Sequence, residues 1–345
     1  MRVEGVYLDG IGHHLPDWVS AEDAVADGRY RAEVFEASGL TGTHISTKLP
    51  ALDMAVLAAR TALERSSAGT ADVESHIHAS VYYQGPEGSY PPGYILRELG
   101  VAGAGSLEIR QGCNGLLAAL EIAVGQLTGV AELAVALLTT AQNFETPLVD
   151  RWHGFGDSYI LADGAAAAVV TTEPGFAEVR SICSGTLPGL ERWHRGDGPL
   201  TPPVEQSAEQ VSMTARAAAF TDDEMPLARA VESLSEFDVG IIRRALVDAD
   251  LNVADLARVI TINEDARMTE FTTLGPLGID VSLSTWDHGR SVGHVGAADL
   301  VISLDHLLDT GQVHPGDHLL LVSQGPGWLC SAAVLTLLEK PSWLE

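Results

Sequence analysis

The sequence predicts an α/β protein made of two tandem, similar halves. Three observations carry that prediction. Short apolar runs alternate with Ala/Leu-rich segments of helical period. The halves close alike: Ala166-Ala167-Ala168-Val169-Val170-Thr171 runs into Glu173-Pro174, and Ser331-Ala332-Ala333-Val334-Leu335-Thr336 runs into Glu339-Lys340-Pro341. The chain has 345 residues, 46% hydrophobic and 19% charged, which is enough for a large core and excludes a disordered chain. The expected halves are residues 1–173 and 174–345.

The elements follow in order. Val3–Leu8 reads as a strand, Leu52–Arg65 as a helix by its apolar spacing, and His76–Tyr83 as a strand. Tyr94–Leu99 is a short helix stopped by Gly100. Leu107–Arg110 is a short strand, and Asn114–Leu127 a helix ended by Gly129. Leu133–Thr139 and Ala165–Thr172 are uniformly apolar, as strands covered on both faces are. In the second half, Val179–Cys183 and Val259–Asn263 read as strands and Ile241–Ala249 as a helix. Gly296–Leu308 is a helix, followed by strands His318–Ser323 and Ser331–Leu338. The polar, Pro-rich stretch Gly189–Glu209 reads as a surface loop or insertion.

Charge narrows the function. Twenty Lys+Arg against 47 Asp+Glu leave a net charge of −27. That excludes general nucleic-acid binding, which depends on neutralising phosphates, and docking on anionic lipid. It also disfavours an acidic carrier protein, unless a local basic patch receives it. No run of about 18 apolar residues predicts a membrane span. Three widely spaced cysteines, Cys113, Cys183 and Cys330, fit neither a disulfide framework nor a zinc site. The start Met1-Arg2-Val3-Glu4-Gly5 is unlike a signal peptide, so a cytoplasmic protein without a resident metal or cofactor is expected.

Cys113 is the leading chemical candidate. In Arg110-Gln111-Gly112-Cys113-Asn114-Gly115 a short strand enters a tight glycine turn, and an apolar helix follows. A thiol at a helix N-terminus lies where partial positive charge favours the thiolate, and the free N–H groups there can hold an oxyanion. Such a cysteine suits acceptance of an acyl group from a thioester. Cys183 and Cys330 lie in apolar strand-like runs and read as packing residues. His294, in Gly293-His294-Val295-Gly296 before a helix, is the candidate base. Asn263, Glu264 and Asp265 follow an apolar strand, where sites form in open α/β sheets; the alternative is a polar turn that caps the next helix. Gly325-Pro326-Gly327 is either a close-approach turn or an ordinary hairpin, and Asp163-Gly164-Ala165 reads as a structural turn.

Taken together, these segments resemble the type III ketoacyl synthases of the thiolase superfamily over nearly the whole chain. Gln111-Gly112-Cys113-Asn114-Gly115 is similar to the family's nucleophile segment. Asp163-Gly164-Ala165-Ala166-Ala167 is similar to its Gly-Asp-Gly-Ala-Gly-Ala element, and Gly293 to Asp299 to its Gly-Asn-Thr-Ser-Ala-Ala-Ser segment. The resemblance implies a thiolase-like fold, layered helix–sheet–helix–sheet–helix. It also implies a homodimer formed near Leu107–Arg110 and a coenzyme A or acyl-carrier-protein thioester as donor.

The departures from the family pattern shape the expected function. The family's triad is Cys, His, Asn. Its His-Gln-Ala-Asn motif is replaced by Asn263-Glu264-Asp265-Ala266, and its Asn by His294. Decarboxylative condensation needs two neutral donors converging on a thioester carbonyl, whereas transfer to a hydroxyl needs a nucleophile, an oxyanion hole and a base. Cys113 and His294 fill the first and last roles, with Asp265 or Asn263 orienting the imidazole and Asp299 a weaker candidate. The oxyanion hole is assigned to the N–H of Cys113 with Gly325 or Gly327, because Pro326 has no N–H. This pattern resembles the acyltransferase branch found in polyketide and other natural-product pathways. It implies transfer of a short acyl group such as malonyl to a hydroxyl of a glycosylated or polyketide-type small molecule. A starter-unit condensing enzyme and an inactive scaffold partner of a polyketide synthase are the alternatives. Arg110, Arg151, Arg192 and Arg195 are candidate contacts for a carboxylate or phosphate, and Tyr83–Tyr94 and Trp193–Glu209 are the expected pocket segments.

Overall fold

The computed structural model describes every residue except 87, 199, 201–209 and 345. Its strands are β1 (Tyr7–His14), β2 (Asp17–Ser20), β3 (Gly42–Ile45), β4 (Ser75–Ser80), β5 (Gly105–Arg110) and β6 (Val135–Gln142). They continue with β7 (Gly164–Thr171), β8 (Ala177–Thr186), β9 (Leu256–Ile260), β10 (His318–Gly325) and β11 (Leu329–Leu337). β2 and β3 pair as a separate ribbon, and the other nine run in the order β5-β4-β6-β7-β1-β8-β11-β10-β9.

That order contains one pattern twice. β4 runs parallel to β6, β6 antiparallel to β7, and β7 antiparallel to β1. β9 runs parallel to β10, β10 antiparallel to β11, and β11 antiparallel to β8. The N-terminal set adds β5 at its edge. The two sets meet where Tyr7 and Leu8 pair with Glu178 and Ala177, and residues 173 and 174 lie in the turn between β7 and β8.

The layers explain the apolar periods. Helices Gly115–Gly129 and Asp299–Asp309 lie between the two sets of strands and share one core with both. Helix Asp299–Asp309 is buried nearly all round and helix Gly115–Gly129 over its first half, so neither shows a clean polar face in sequence. Helix Ala51–Glu64 covers the N-terminal strands from outside, and helix Leu227–Asp248 the C-terminal ones. The result is the expected five-layer, thiolase-like arrangement. Among the described residues, no helix is long and apolar enough to cross a membrane.

Several boundaries differ from the sequence expectation. The first strand is Tyr7–His14, not Val3–Leu8. Gly10 and Gly12 argue against a strand by propensity, but helix Ala51–Glu64 lies directly on them: a Cβ at Gly12 would fall 2.4 Å from the Ala58 carbonyl oxygen. Helix Leu227–Asp248 starts well before the expected Ile241. The stretch Gly189–Glu209 begins with a helical turn, Pro188–Leu190, and a short helix, Glu191–Arg195; residues 199 and 201–209 of it lie outside the described residues.

Candidate active site

The two central helices bring the candidate residues together at their N-termini. β5 ends at Arg110, a 3₁₀ turn over Gly112–Asn114 follows, and helix Gly115–Gly129 begins. Gly112 has φ +58, and a Cβ there would sit 2.2 Å from Cδ of Pro326, so the turn admits only glycine. The hairpin β10–β11 clamps this turn from the other side. The Ser323 hydroxyl donates to the Cys113 carbonyl oxygen at 2.7 Å. Cys113 stays partly exposed, whereas Cys183 and Cys330 are buried.

His294 precedes the second central helix. Its backbone is fixed to the N-terminal half: its N–H donates to the Ile160 carbonyl at 2.8 Å, and its carbonyl accepts from Ala162 N–H at 2.9 Å. The imidazole Nε2 lies 2.8 Å from Cys113 Sγ, and Nδ1 lies 2.6 Å from Asp299 Oδ2. Asp299 is fully buried as the first residue of its helix. It also accepts the Val295 N–H at 2.7 Å and the Asn263 N–H at 2.8 Å. A carboxylate with these donors is an acceptor for Nδ1–H, which leaves Nε2 toward the sulfur. Burial alone would lower the His294 pKa, but the Cys113 sulfur and the Asp299 carboxylate outweigh it and raise it well above the usual histidine range. An imidazolium so placed stabilises negative charge on sulfur.

The orienting group is therefore Asp299, and the expectation for Asp265 and Asn263 is corrected. Asp265 is the N-cap of the short helix Ala266–Thr269; its side chain accepts from Arg267 N–H at 2.9 Å and pairs with the Arg267 guanidinium. Asn263 supports the site at one remove. Its side-chain amide donates to the Gly293 carbonyl at 2.8 Å, beside His294, and its backbone N–H holds Asp299. Neither touches the imidazole: Nδ1 is taken by Asp299, and Asn263 packs against Gly289, where a Cβ would fall 2.3 Å from Asn263 Oδ1. Asp299 stands at the helix start rather than a turn down, which is why it reaches.

The glycine turn is corrected in part as well. Gly327 N–H is engaged rather than free, donating to His194 Nδ1 at 3.3 Å. Gly325 closes the ladder opposite Leu329, with its Cα packed on the Gln111 carbonyl. Pro326 faces Gly112 and offers no N–H. Cys113 N–H lies in the first turn ahead of the helix, where backbone donors lack intrahelical partners. Arg151 is unavailable to a ligand, since it is buried in a bidentate pair with Asp163 at 3.0 Å. Arg192 pairs with Asp197, Asp223 and Glu224, and Arg195 with Glu191; Arg110 is exposed at the end of β5.

One side chain against the imidazole, Tyr159, was not singled out, and Glu264 entered only as part of the segment after β9. The Tyr159 ring packs on the His294 ring with centroids 5.1 Å apart, and Glu264 lies near both. No spacing in the sequence links Tyr159 to His294. Asp299 did carry a signal: an acid among Ala297, Ala298, Leu300 and Val301 is buried only with a partner.

Comparison with known proteins agrees with this architecture. Residues 246–337 match the family described as 3-oxoacyl-[acyl-carrier-protein (ACP)] synthase III C terminal. The chain is 26% identical to the β-ketoacyl-[acyl-carrier-protein] synthase III of Streptomyces lividans over 294 residues, 84% of this chain and 81% of that one. The 3-oxoacyl-[acyl-carrier-protein] synthase III of Aquifex aeolicus VF5 superposes with a TM-score of 0.78 at 20% identity, over 96% of this chain and 99% of that one. The structure named ChlB3, an acyltransferase, superposes with a TM-score of 0.93 at 37% identity, over 98% of this chain and 99% of that one. The chain belongs to the type III ketoacyl-acyl-carrier-protein synthase-like family of the thiolase superfamily, a family of enzymes.

Proposed function

We propose that this protein transfers an acyl group, malonyl or a similarly short one, from a coenzyme A or carrier-protein thioester to a hydroxyl of a glycosylated or polyketide-type small molecule. The observation that carries the reading is the line Cys113–His294–Asp299, with 2.8 Å from sulfur to Nε2 and 2.6 Å from Nδ1 to carboxylate. In the first step the Cys113 thiolate attacks the donor carbonyl, and the donor thiolate leaves with the proton of the imidazolium. In the second step the acceptor hydroxyl gives its proton to Nε2 and its oxygen attacks the acyl carbon. The carbon–sulfur bond breaks, an ester forms, and the thiolate and imidazolium return. Asp299 supports both steps by fixing the tautomer and stabilising the imidazolium.

Condensation with loss of carbon dioxide is less well supported. It calls for a second neutral donor converging with the imidazole on the thioester carbonyl, and the Asn263 amide is engaged by the Gly293 carbonyl instead. The name of the ChlB3 structure, an acyltransferase, supports the same choice. The test is incubation with a panel of acyl thioesters, reading the mass of the Cys113 peptide, followed by addition of an alcohol. An adduct on Cys113 that alcohol removes as an ester supports the proposal. An adduct on Cys183 or Cys330, or none, overturns it.

A further inference from the structure

Beside the triad stands a second polar pair that the transfer steps leave unused. Glu264 is 8% exposed, and its Oε1 accepts from the Thr269 hydroxyl at 2.8 Å. The Tyr159 side chain lies beside the same carboxyl, close enough for each to shift the other. Asp265 N–H to the Ser158 carbonyl at 2.9 Å and Trp286 Nε1–H to the Glu264 carbonyl at 3.1 Å hold the two segments side by side. Among the described residues, no arginine or lysine is bonded to the Glu264 carboxyl; Arg267 is committed to Asp265. Burial raises the Glu264 carboxyl to about 7, with the Thr269 and Tyr159 side chains and the His294 charge opposing that rise. Burial likewise keeps Tyr159 protonated far above neutrality, so it stands beside Glu264 as a hydroxyl donor.

A buried carboxyl with no cation bonded to it is costly to ionise. Packing alone would be served better by an apolar residue. A carboxylate takes about four hydrogen bonds, and the Thr269 donor leaves capacity unused. Tyr159 is partly exposed with its ring against the imidazole, which places it beside the base that an acceptor must reach. A hydroxyl that donates to a carboxyl behind it becomes a stronger acceptor in front.

Building on the acyl-transfer reading, we infer that Tyr159, backed by Glu264, is the acceptor-recognition contact of this site. It receives a hydrogen bond from a second donor group on the carbon next to the attacking hydroxyl. The preferred acceptor is then a vicinal diol or a vicinal amino alcohol, not a simple alcohol. Tyr159 touches the acceptor, and Glu264 acts through Tyr159 as a positioning residue.

The test uses the acyl-enzyme with excess donor removed. Ethanol, ethane-1,2-diol and 2-aminoethanol are added separately at equal concentration. Loss of the Cys113 adduct and the mass of the ester are followed in wild type, Tyr159→Phe and Glu264→Gln. The quantity read is each variant's rate ratio to ethanol, which a general loss of folding or activity does not move. The wild-type ratio should exceed that of both variants by about three- to tenfold, the worth of one hydrogen bond. A gain confined to the diol identifies a hydroxyl donor, and one confined to 2-aminoethanol an ammonium donor. Equal ratios in wild type and Tyr159→Phe overturn this inference while leaving acyl transfer standing. An adduct that no alcohol removes, or no adduct at all, overturns the acyl-transfer reading and the inference with it.

Discussion

Asp299→Asn is the sharpest perturbation of the triad. The wild-type carboxylate receives three donors: His294 Nδ1–H at 2.6 Å, Asn263 N–H at 2.8 Å and Val295 N–H at 2.7 Å. An asparagine has one acceptor oxygen and brings two donors of its own. With its oxygen toward Val295, its NH₂ faces His294 and Asn263 N–H. The imidazole must then present an unprotonated Nδ1 and carry its proton on Nε2. That tautomer cannot take the acceptor's proton. In Ser-His-Asp hydrolases the corresponding change costs about 10⁴-fold in kcat through the same wrong tautomer. We expect a loss of about 10²–10⁴-fold in alcoholysis of the acyl-enzyme. The unsatisfied Asn263 N–H should cost about 1–3 kcal/mol of stability. Stopped-flow quench with intact-mass readout separates acylation from alcoholysis, and urea denaturation reports the stability. Full alcoholysis in Asp299→Asn, or its loss in Asp265→Asn instead, would refute the assignment.

Other predictions follow from the same geometry. Cys113→Ala should fold normally and abolish transfer, with no acyl adduct by intact mass. His294→Ala should still acylate, slowly, and then accumulate the adduct, because the alcohol lacks its base. Gly112→Ala should combine strain from φ +58 with the clash on Pro326, costing about 1–3 kcal/mol in thermal or urea unfolding and displacing Cys113. β5 is an edge strand with Leu107 42% exposed, so a homodimer through it should dissociate in Leu107→Lys by sedimentation. His76 and His78 are buried on β4, where burial lowers their pKa values to about 3 and about 4. The unfolded chain binds those protons first as pH falls below the usual histidine range. Stability should therefore fall from about pH 6.5 toward pH 4, by at most about 1.4 kcal/mol per pH unit for each histidine. Replacing both by Gln should flatten that slope in denaturation measured at several pH values.

Much of this site was legible in the chain because the local backbone demanded it. A cysteine between glycines, after a strand and before an apolar helix, has few structural explanations, and Gly112 and Gly115 both prove to be tightly packed. His294 was legible for similar reasons. The third member was harder to read. Asn263 and Asp265 follow a strand end, as site residues often do, yet one braces a loop and the other caps a helix. Asp299 lies five residues after His294, and only the 3₁₀ turn Gly296–Ala298 folds it back to Nδ1. Sequence spacing alone does not distinguish that turn from a straight helix. Tyr159 and Glu264 meet through a contact between segments far apart in the chain, which no local pattern encodes. The bounds of β1 were missed because its glycines serve a helix packed above them.

The central claim is that Cys113, His294 and Asp299 pass an acyl group to oxygen without forming a carbon–carbon bond. The most direct measurement is a single turnover with carboxyl-labelled malonyl thioester and an alcohol acceptor, counting label in carbon dioxide and in ester. The account predicts that the label stays on the Cys113 adduct and moves intact into the ester. Label released as carbon dioxide in step with product would contradict it and replace acyl transfer with condensation.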